Sequence, residues 1–207
     1  NYVVSDAAVN GRIYKWVAPI NGVSQGSYKP VLLLITPKKH QLLSLGMVYD
    51  IDSSNQIKFE GAASNFDPNL FANNSNQEHW GNAFRMDFQN IITIRKAVDT
   101  STIFHPTIKN RVYLERVSSH FRAIAPYRNI EFARDWNIDT TKKANDLLLG
   151  YKSSIQIAPK WNVHYDLDYY NRTNQINGHR HILGTQYSYK GFTIKALGNV
   201  TFSNNIN

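Results

Sequence analysis

The dominant pattern along the chain is an alternation of apolar and polar residues that begins near residue 41 and recurs through the rest of the sequence. Residues 161–169 show it most clearly, with Trp, Val, Tyr, Leu and Tyr at one set of alternate positions and Asn, His, Asp and Asp at the other. A period of two residues is typical of a β-strand whose two faces meet different environments. The pattern predicts eight strands, most of them about ten residues long.

The predicted strands are long, and their connections alternate in length. Soluble strands are most often about 5–6 residues long, whereas a strand that crosses a membrane needs roughly 9–11 tilted residues. Short connections are predicted at 52–55, 158–159 and 189–191, and longer ones at 65–80, 120–145 and 171–178. This alternation is typical of an up-and-down barrel with short turns on one side of a membrane and longer loops on the other. The long connection at 94–107 does not fit it.

These features predict an all-β protein: an antiparallel up-and-down transmembrane β-barrel, or a segment of a larger one, with about eight strands after residue 40. Aromatic residues near the predicted strand ends favour this fold, because such residues form girdles at membrane interfaces. They are Trp161, Tyr169, Tyr187, Tyr189, Phe192 and Phe202.

The first part of the chain has a different residue pattern. In residues 1–40, prolines and glycines punctuate short extended pieces such as 11–17 and 31–35, and no helical period appears. We interpret residues 1–40 as an extended lead-in or barrel-associated segment and residues 41–207 as the barrel strands. Because the sequence begins at Asn1 rather than at methionine, we expect a mature or partial segment.

The alternation by itself leaves other folds and functions open. A soluble antiparallel sheet also alternates, with its apolar face toward a core. The alternative prediction is therefore a soluble, secreted carbohydrate-binding β-sandwich in which Trp80, Trp136 and Tyr170 stack on sugars. A third possibility is a surface-exposed hydrolase that uses Glu131 or Asp135.

Composition removes several classes of protein. The 207 residues contain no cysteine, which excludes disulfide frameworks, thiolate zinc sites and cysteine nucleophiles. No apolar run approaches the roughly 18–20 residues of a membrane helix. The net charge of +8 comes from scattered Lys and Arg residues without a basic, aromatic-rich stripe, so no nucleic-acid partner is predicted. We expect these cations to meet the anionic head groups of outer-membrane lipid and lipopolysaccharide.

In a barrel, the polar positions face a wet lumen or a plug rather than lipid. The candidate lumen-facing residues are Arg85, Asp87, Lys152, Gln156, His164, Asp166, Asp168 and Lys195. No binding function is assigned to them beyond lining that space.

Some of these polar positions are candidate metal ligands. His164, Asp166 and Asp168 share one strand face, and His179 and His181 follow across the next connection. Imidazole and carboxylate groups are suitable metal ligands, but same-face neighbours on a strand lie roughly 6.6–7 Å apart. A hydrated barrel wall explains these residues more simply, so neither a metal nor a cofactor is predicted.

A second candidate cluster lies in the long connection before residue 145. Arg128, Glu131, Arg134 and Asp135 surround Trp136, and the two carboxylates suggest an acid–base pair. The same residues suit an ion-pair cluster that folds an outer loop. We favour the structural role because neither a nucleophile nor a substrate pocket is signalled, and we predict no catalytic residues and no enzymatic activity.

Several sequence blocks resemble a known group of proteins. They are Tyr14-Lys15-Trp16-Val17-Ala18-Pro19, Gly26-Ser27-Tyr28-Lys29-Pro30-Val31, Glu60-Gly61-Ala62-Ala63-Ser64-Asn65-Phe66-Asp67-Pro68-Asn69-Leu70-Phe71, Phe121-Arg122-Ala123-Ile124-Ala125-Pro126-Tyr127-Arg128 and Ile130-Glu131-Phe132-Ala133-Arg134-Asp135-Trp136-Asn137. In this order, the series resembles large, mostly uncharacterised outer-membrane β-barrel proteins of Bacteroidota-type bacteria. The block from Glu131 to Asn137 is the most distinctive.

The resemblance has consequences for fold and function. Members of this group are much longer than 207 residues, so it implies that the chain is one part of a barrel in a bacterial outer membrane. The implied role is transport, or scaffolding in a complex with other envelope proteins. The group supplies no catalytic residues that transfer to this chain.

Overall fold

The computed structural model describes residues 1–6, 11–29, 31, 35–72, 79–94 and 104–205. They divide into two compact units, Asn1–Pro37 and Lys38–Asn207. The strands are β1 (Tyr2–Val4), β2 (Tyr14–Trp16), β3 (Lys39–Asp50), β4 (Asn55–Asp67), β5 (Trp80–Thr93), β6 (Thr107–Val117), β7 (Asp146–Ala158), β8 (Trp161–Arg172), β9 (Ile176–Tyr189) and β10 (Phe192–Asn205). One helical turn, α1 (Phe132–Asp135), lies between β6 and β7.

The first unit is a small antiparallel ribbon. β1 pairs with β2, with Tyr2 opposite Trp16. The backbone of Tyr28 also pairs with Tyr2, through N–H···O bonds of 2.7 and 3.1 Å. The predicted extended piece 11–17 thus contains β2, whereas most of the predicted piece 31–35 lies outside the described residues.

The second unit is one antiparallel sheet of eight strands in the order of the chain, β3 to β10. This confirms the predicted all-β class, the antiparallel meander and the number of strands. The register is continuous, apart from one irregularity between Gln156 and Ala158 on β7. The sheet is open in the described residues: β3 and β10 form its two edges, and no ladder joins them. Both edge strands are exposed along their whole length.

One predicted connection is wrong. The sequence predicts a connection of moderate length over residues 171–178. Instead, Asn171 lies directly opposite Asn177 in the β8–β9 ladder. The turn is confined to residues 173–175, where Asn174 adopts a positive φ of 57°. Asn is one of the few non-glycine residues that tolerates this conformation, so a single Asn suffices for the reversal.

The two faces of the sheet differ in chemistry. We call the face that carries Leu114, Leu149 and Tyr169, which are direct cross-strand neighbours, the apolar face. The opposite polar face carries Asp87, Tyr113 and Asp168, which also lie in one cross-strand row, with Gly150 between the last two. The alternation in the sequence therefore predicts both faces correctly.

The buried core lies on the polar face, not on the apolar one. The connection 118–145, which we call the covering loop, folds over the polar face and contributes Trp136 to a cluster of buried side chains. The other members, all from strands, are Tyr113, Leu148, Tyr170 and Ile176. Within the described part of the chain, no helix is both long and apolar enough to cross a bilayer.

Candidate functional site

The polar face carries a chain of ion pairs that starts on β5. The Asp87 carboxylate accepts a hydrogen bond from Nε of Arg85 at 2.8 Å and another from Nε of Arg111 on β6. Arg85 also reaches Glu115 at 2.9 Å. The side chains of Asp87 and Glu115 are only 7% and 8% exposed. Buried carboxylates of this kind need such partners, because an unpaired charge is costly away from water.

The covering loop joins this network through Arg128. Its guanidinium lies 2.6 Å from Glu115 on β6 and 2.6 Å from Asp146 at the start of β7. It also lies over the ring of Phe132, 4.6 Å from the centroid. Burial works against the charge of Arg128, but the surrounding negative groups outweigh it and raise its pKa. Arg128 thus remains charged and holds the loop to two strands.

A second attachment lies around Trp136, directly after α1. Trp136 is 1% exposed, and its ring lies 5.1 Å from that of Tyr170, centroid to centroid. The guanidinium of Arg180, on β9, lies 5.4 Å from the centroid of the Trp136 ring. Arg180 also pairs with Asp168 at 3.0 Å and with Asp135 of α1 at 3.3 Å. The aromatic contact and the ion pairs fix the same turn of the loop.

A third set of contacts joins the start of the covering loop to β3, β4 and β5. The amide of Arg122 donates to Ser64 Oγ at 2.9 Å, and the carbonyl of Arg122 lies 3.0 Å from His40 Nε2. The backbone of His120 and Phe121 passes so close to Gly81 that no side chain would fit there. The loop is therefore attached across most of the width of the polar face.

Tyr113 lies at the centre of the polar face. Its hydroxyl donates a hydrogen bond to Asp168 two strands away. This reach is possible because Gly150, on the strand between them, has no side chain and the Tyr113 ring lies over it. The guanidinium groups of Arg85 and Arg111 lie 4.8 and 5.5 Å from the ring centroid. Tyr113 thus connects the ion pairs of β5 and β6 to those that Arg180 forms with Asp168 and Asp135.

All eight residues predicted to face a lumen lie on the polar face. Arg85, Asp87 and Asp168 belong to the network described above. Lys152 pairs separately with Asp166 at 2.7 Å. The remaining three occupy polar-face positions nearer the other end of the strands: Gln156 opposite Asn162, His164 opposite Gly184, and Lys195 opposite Gln186.

The predicted loop cluster is divided by the structure. Arg134 pairs with Glu131 at 2.7 Å and approaches Asp135 at 3.8 Å, and both contacts are exposed to solvent. Arg128 does not join them and pairs with strand carboxylates instead. Glu131 contacts Arg134, and Asp135 contacts both Arg134 and Arg180. Both carboxylates suggested for acid–base chemistry are therefore in contact with arginines.

The sequence interpretation missed several members of the network. Tyr113, Glu115, Asp146, Arg172 and Arg180 were not among the candidates. Arg172 completes the group by pairing with Asp146 at 2.8 Å. Each lies at a polar-face position of its strand. Extending the alternation to strand ends would have found Asp146, Arg172 and Arg180, whereas Tyr113 and Glu115 already lie within the alternating segment of β6.

A cavity lies beside the network. Its volume is about 690 Å³, and it separates β3–β6 from loop residues 121–127. The strand side includes small residues such as Gly46, Ala62 and Ala83, and the loop side is apolar. Glu60, Arg85 and Glu115 give it one charged border.

The residues weighed as a metal site are separated by the sheet. His164, Asp166 and Asp168 lie on the polar face, whereas His179 and His181 lie on the apolar face in the rows of Tyr169 and Leu167. Among the described residues, no group of three or more His, Asp or Glu side chains is placed to hold a metal ion.

Comparison with known proteins identifies no relative. No protein family model matches the chain, and no curated protein or solved structure is significantly similar to it.

Proposed function

We propose that this chain forms part of the wall of a bacterial outer-membrane β-barrel, with a non-enzymatic role in transport or in scaffolding an envelope complex. The apolar face would meet lipid. The polar face would line the lumen, and the covering loop would lie inside as a partial plug.

One observation carries the proposal: the sheet is exposed on its apolar face and buried on its charged face. Leu149, Val112 and Leu183 are 40%, 50% and 58% exposed, whereas Asp87 and Asp168 are 5% and 3% exposed. A water-soluble antiparallel sheet has the opposite arrangement, with apolar residues inside and polar residues outside. A membrane barrel requires apolar residues outside.

The shape of the apolar surface agrees with tilted strands. On β3 the apolar positions run from Leu43 to Tyr49, and on β10 from Phe192 to Phe202. The cross-strand rows place Met47 level with Phe202. The β3 segment therefore extends beyond the Phe202 end of the β10 segment. The β10 segment extends beyond the Tyr49 end of the β3 segment. This apolar belt therefore runs obliquely to the strands, as expected where barrel strands tilt by roughly 35–45°.

Aromatic residues lie at both ends of the belt on β8–β10. Trp161 lies opposite Tyr187, and Tyr189 lies opposite Phe192, near the short turns. Tyr169 and Phe202 lie at the other end, where Asn residues follow. This distribution supports two interfacial girdles.

The alternative functions have less support. A carbohydrate-binding sandwich would need exposed aromatic rings, but Trp136 and Tyr170 are 1% and 0% exposed. Of the three rings suggested for sugar stacking, only Trp80 is accessible, at 56%.

Fractionation of the native protein in its host envelope tests the proposal. We expect the protein in the outer-membrane fraction, soluble only with detergent, and a change in gel migration on boiling, because a closed barrel resists SDS until heated. Recovery as a water-soluble protein whose migration does not change on heating would refute the proposal.

A further inference from the structure

Two histidines lie on the apolar face, at one boundary of the apolar belt. His179 and His181 occupy alternate positions on β9, so both side chains project from the same face. Asn177 precedes them and Leu183 follows them on that face. The pair therefore lies where the polar strand end meets the belt, within reach of water.

The separation of the two rings fits a shared metal ion. The ring centroids are 5.2 Å apart. A metal bound about 2.1 Å from an imidazole nitrogen lies roughly 3.2 Å from the ring centroid, so two such ligands at a tetrahedral angle have centroids about 5.2 Å apart. The planes of the two rings lie at 88° to each other.

The neighbours of the pair hold both rings in place. Nδ1 of His181 is 2.7 Å from the hydroxyl oxygen of Tyr165 on β8. In the tautomer protonated at Nδ1, His181 donates this bond and its Nε2 lone pair is free for a metal. His179 stacks on Phe202 of β10, with centroids 5.1 Å apart. A hydrogen bond from the second ring nitrogen is the usual way in which proteins orient a metal-binding histidine.

We propose that His179 and His181 bind one Zn²⁺ ion. His181 contributes Nε2, His179 contributes one ring nitrogen, and water completes the tetrahedral coordination. Zn²⁺ suits the pair because imidazole nitrogen is among its preferred ligands and the centroid separation is the one expected for a tetrahedral ligand angle. The site requires only β8–β10 and does not depend on the proposed role of the chain in a barrel.

Calorimetric titration of the folded, purified chain with ZnCl₂ tests the site. We expect one Zn²⁺ per chain at the pair, and His179→Asn and His181→Asn should each weaken that binding by at least about tenfold. Tyr165→Phe should retain the stoichiometry and weaken binding by about tenfold, because it removes only the orienting hydrogen bond. X-ray absorption of the Zn²⁺-loaded protein should show two imidazole ligands.

The matched control is His164→Asn, which removes a histidine from the opposite face of the neighbouring strand and should leave binding unchanged. The far-UV circular dichroism of each variant reports whether the sheet is intact. The proposal fails if the wild-type chain shows no saturable binding. It also fails if both pair variants, folded as the wild type, bind Zn²⁺ with undiminished affinity.

Discussion

At the scale of single residues, Trp136 carries the largest apolar contribution to the attachment of the covering loop. It is among the largest fully buried side chains, and it contacts the sheet through Tyr170. Trp136→Ala should cost about 3–5 kcal/mol of that attachment, the usual range for removing a buried aromatic side chain. Limited digestion with trypsin measures the result, since Arg128, Arg134 and Lys142 are cleavage sites in the loop.

We expect faster cleavage in the loop of the Trp136→Ala variant while the sheet remains intact. Glu131→Gln is the matched control, because it changes an exposed side chain close in sequence to Trp136 and retains every trypsin site. Equal cleavage of the wild type and Trp136→Ala would show that this side chain does not hold the loop.

Arg128 is the main electrostatic attachment of the same loop. Arg128→Met retains an unbranched side chain but leaves Glu115 and Asp146 without one of their partners. Loss of one partner from a buried pair costs about 3–5 kcal/mol, and the remaining pairs with Arg85 and Arg172 reduce the effect. With Trp16, Trp80 and Trp161 replaced by Phe so that only Trp136 emits, tryptophan fluorescence during denaturant titration should show earlier exposure of the loop.

Arg134→Met provides the comparison for Arg128→Met, because the side chain of Arg134 is 72% exposed and its ion pairs lie at the surface. Exposed pairs contribute at most about 1 kcal/mol. The assigned role of Arg128 is wrong if the two variants release the loop at the same denaturant concentration.

At the scale of elements, the β3–β4 turn contains a carboxylate with a defined pH response. Hydrogen bonds from the Asn55 side chain and the Ser54 amide lower the pKa of Asp52 below 3.8. A lowered pKa in the folded state means that Asp52 stabilises the turn above the unfolded carboxyl pKa, and that this contribution disappears as the pH falls through the lowered value. The amide ¹⁵N resonances of Ser54 and Asn55 should therefore titrate with a midpoint below 3.8.

Asp52→Asn should abolish that titration and leave the sheet folded. The amide of Gln175, in the β8–β9 turn, donates to the backbone carbonyl of Arg172 and should show no comparable transition. A midpoint at or above 3.8 would contradict the assigned hydrogen bonds.

The strands were predictable because their signal is local. Apolar and polar residues alternate within each strand, so positions such as Arg85 and Lys152 could be assigned to a face without knowledge of the neighbouring strands. The partners of Arg128 were not predictable in this way, because the choice between Glu131 and Glu115 depends on where a long loop folds. The short β8–β9 turn was missed because Asn171 and Asn177 have loop-like propensities, and pairing within the ladder overrides them.

At the scale of the whole molecule, the two faces of β7 predict opposite tolerance to substitution. Leu149 lies in the apolar belt, and Lys152 lies on the polar face of the same strand. Leu149→Arg should cost roughly 2–4 kcal/mol if the position lies near the midplane of a bilayer. Lys152→Gln should fold normally, because a position on the polar face accepts a neutral polar group.

Folding into lipid vesicles from denaturant, followed by the heat-dependent shift in gel migration, compares these two variants. Equal tolerance of both changes would mean that the two faces have been assigned to the wrong environments. Equal stability of Leu149→Arg and the wild type without any lipid or detergent would favour a soluble fold.

The chain-order meander has a consequence for how the molecule forms. In the described residues, every strand of the sheet pairs only with the strands next to it in the sequence. Most ladders therefore close a short stretch of chain, which lowers the contact order, and the β6–β7 ladder, which spans the covering loop, is an exception. Hairpins can then assemble one after another, whereas the contacts of the covering loop require strands from β3 to β9. Because β3 and β10 are the edges, a hairpin can be added or lost at either edge without breaking an existing ladder. Duplication of one hairpin is therefore a simple way to change the width of such a sheet.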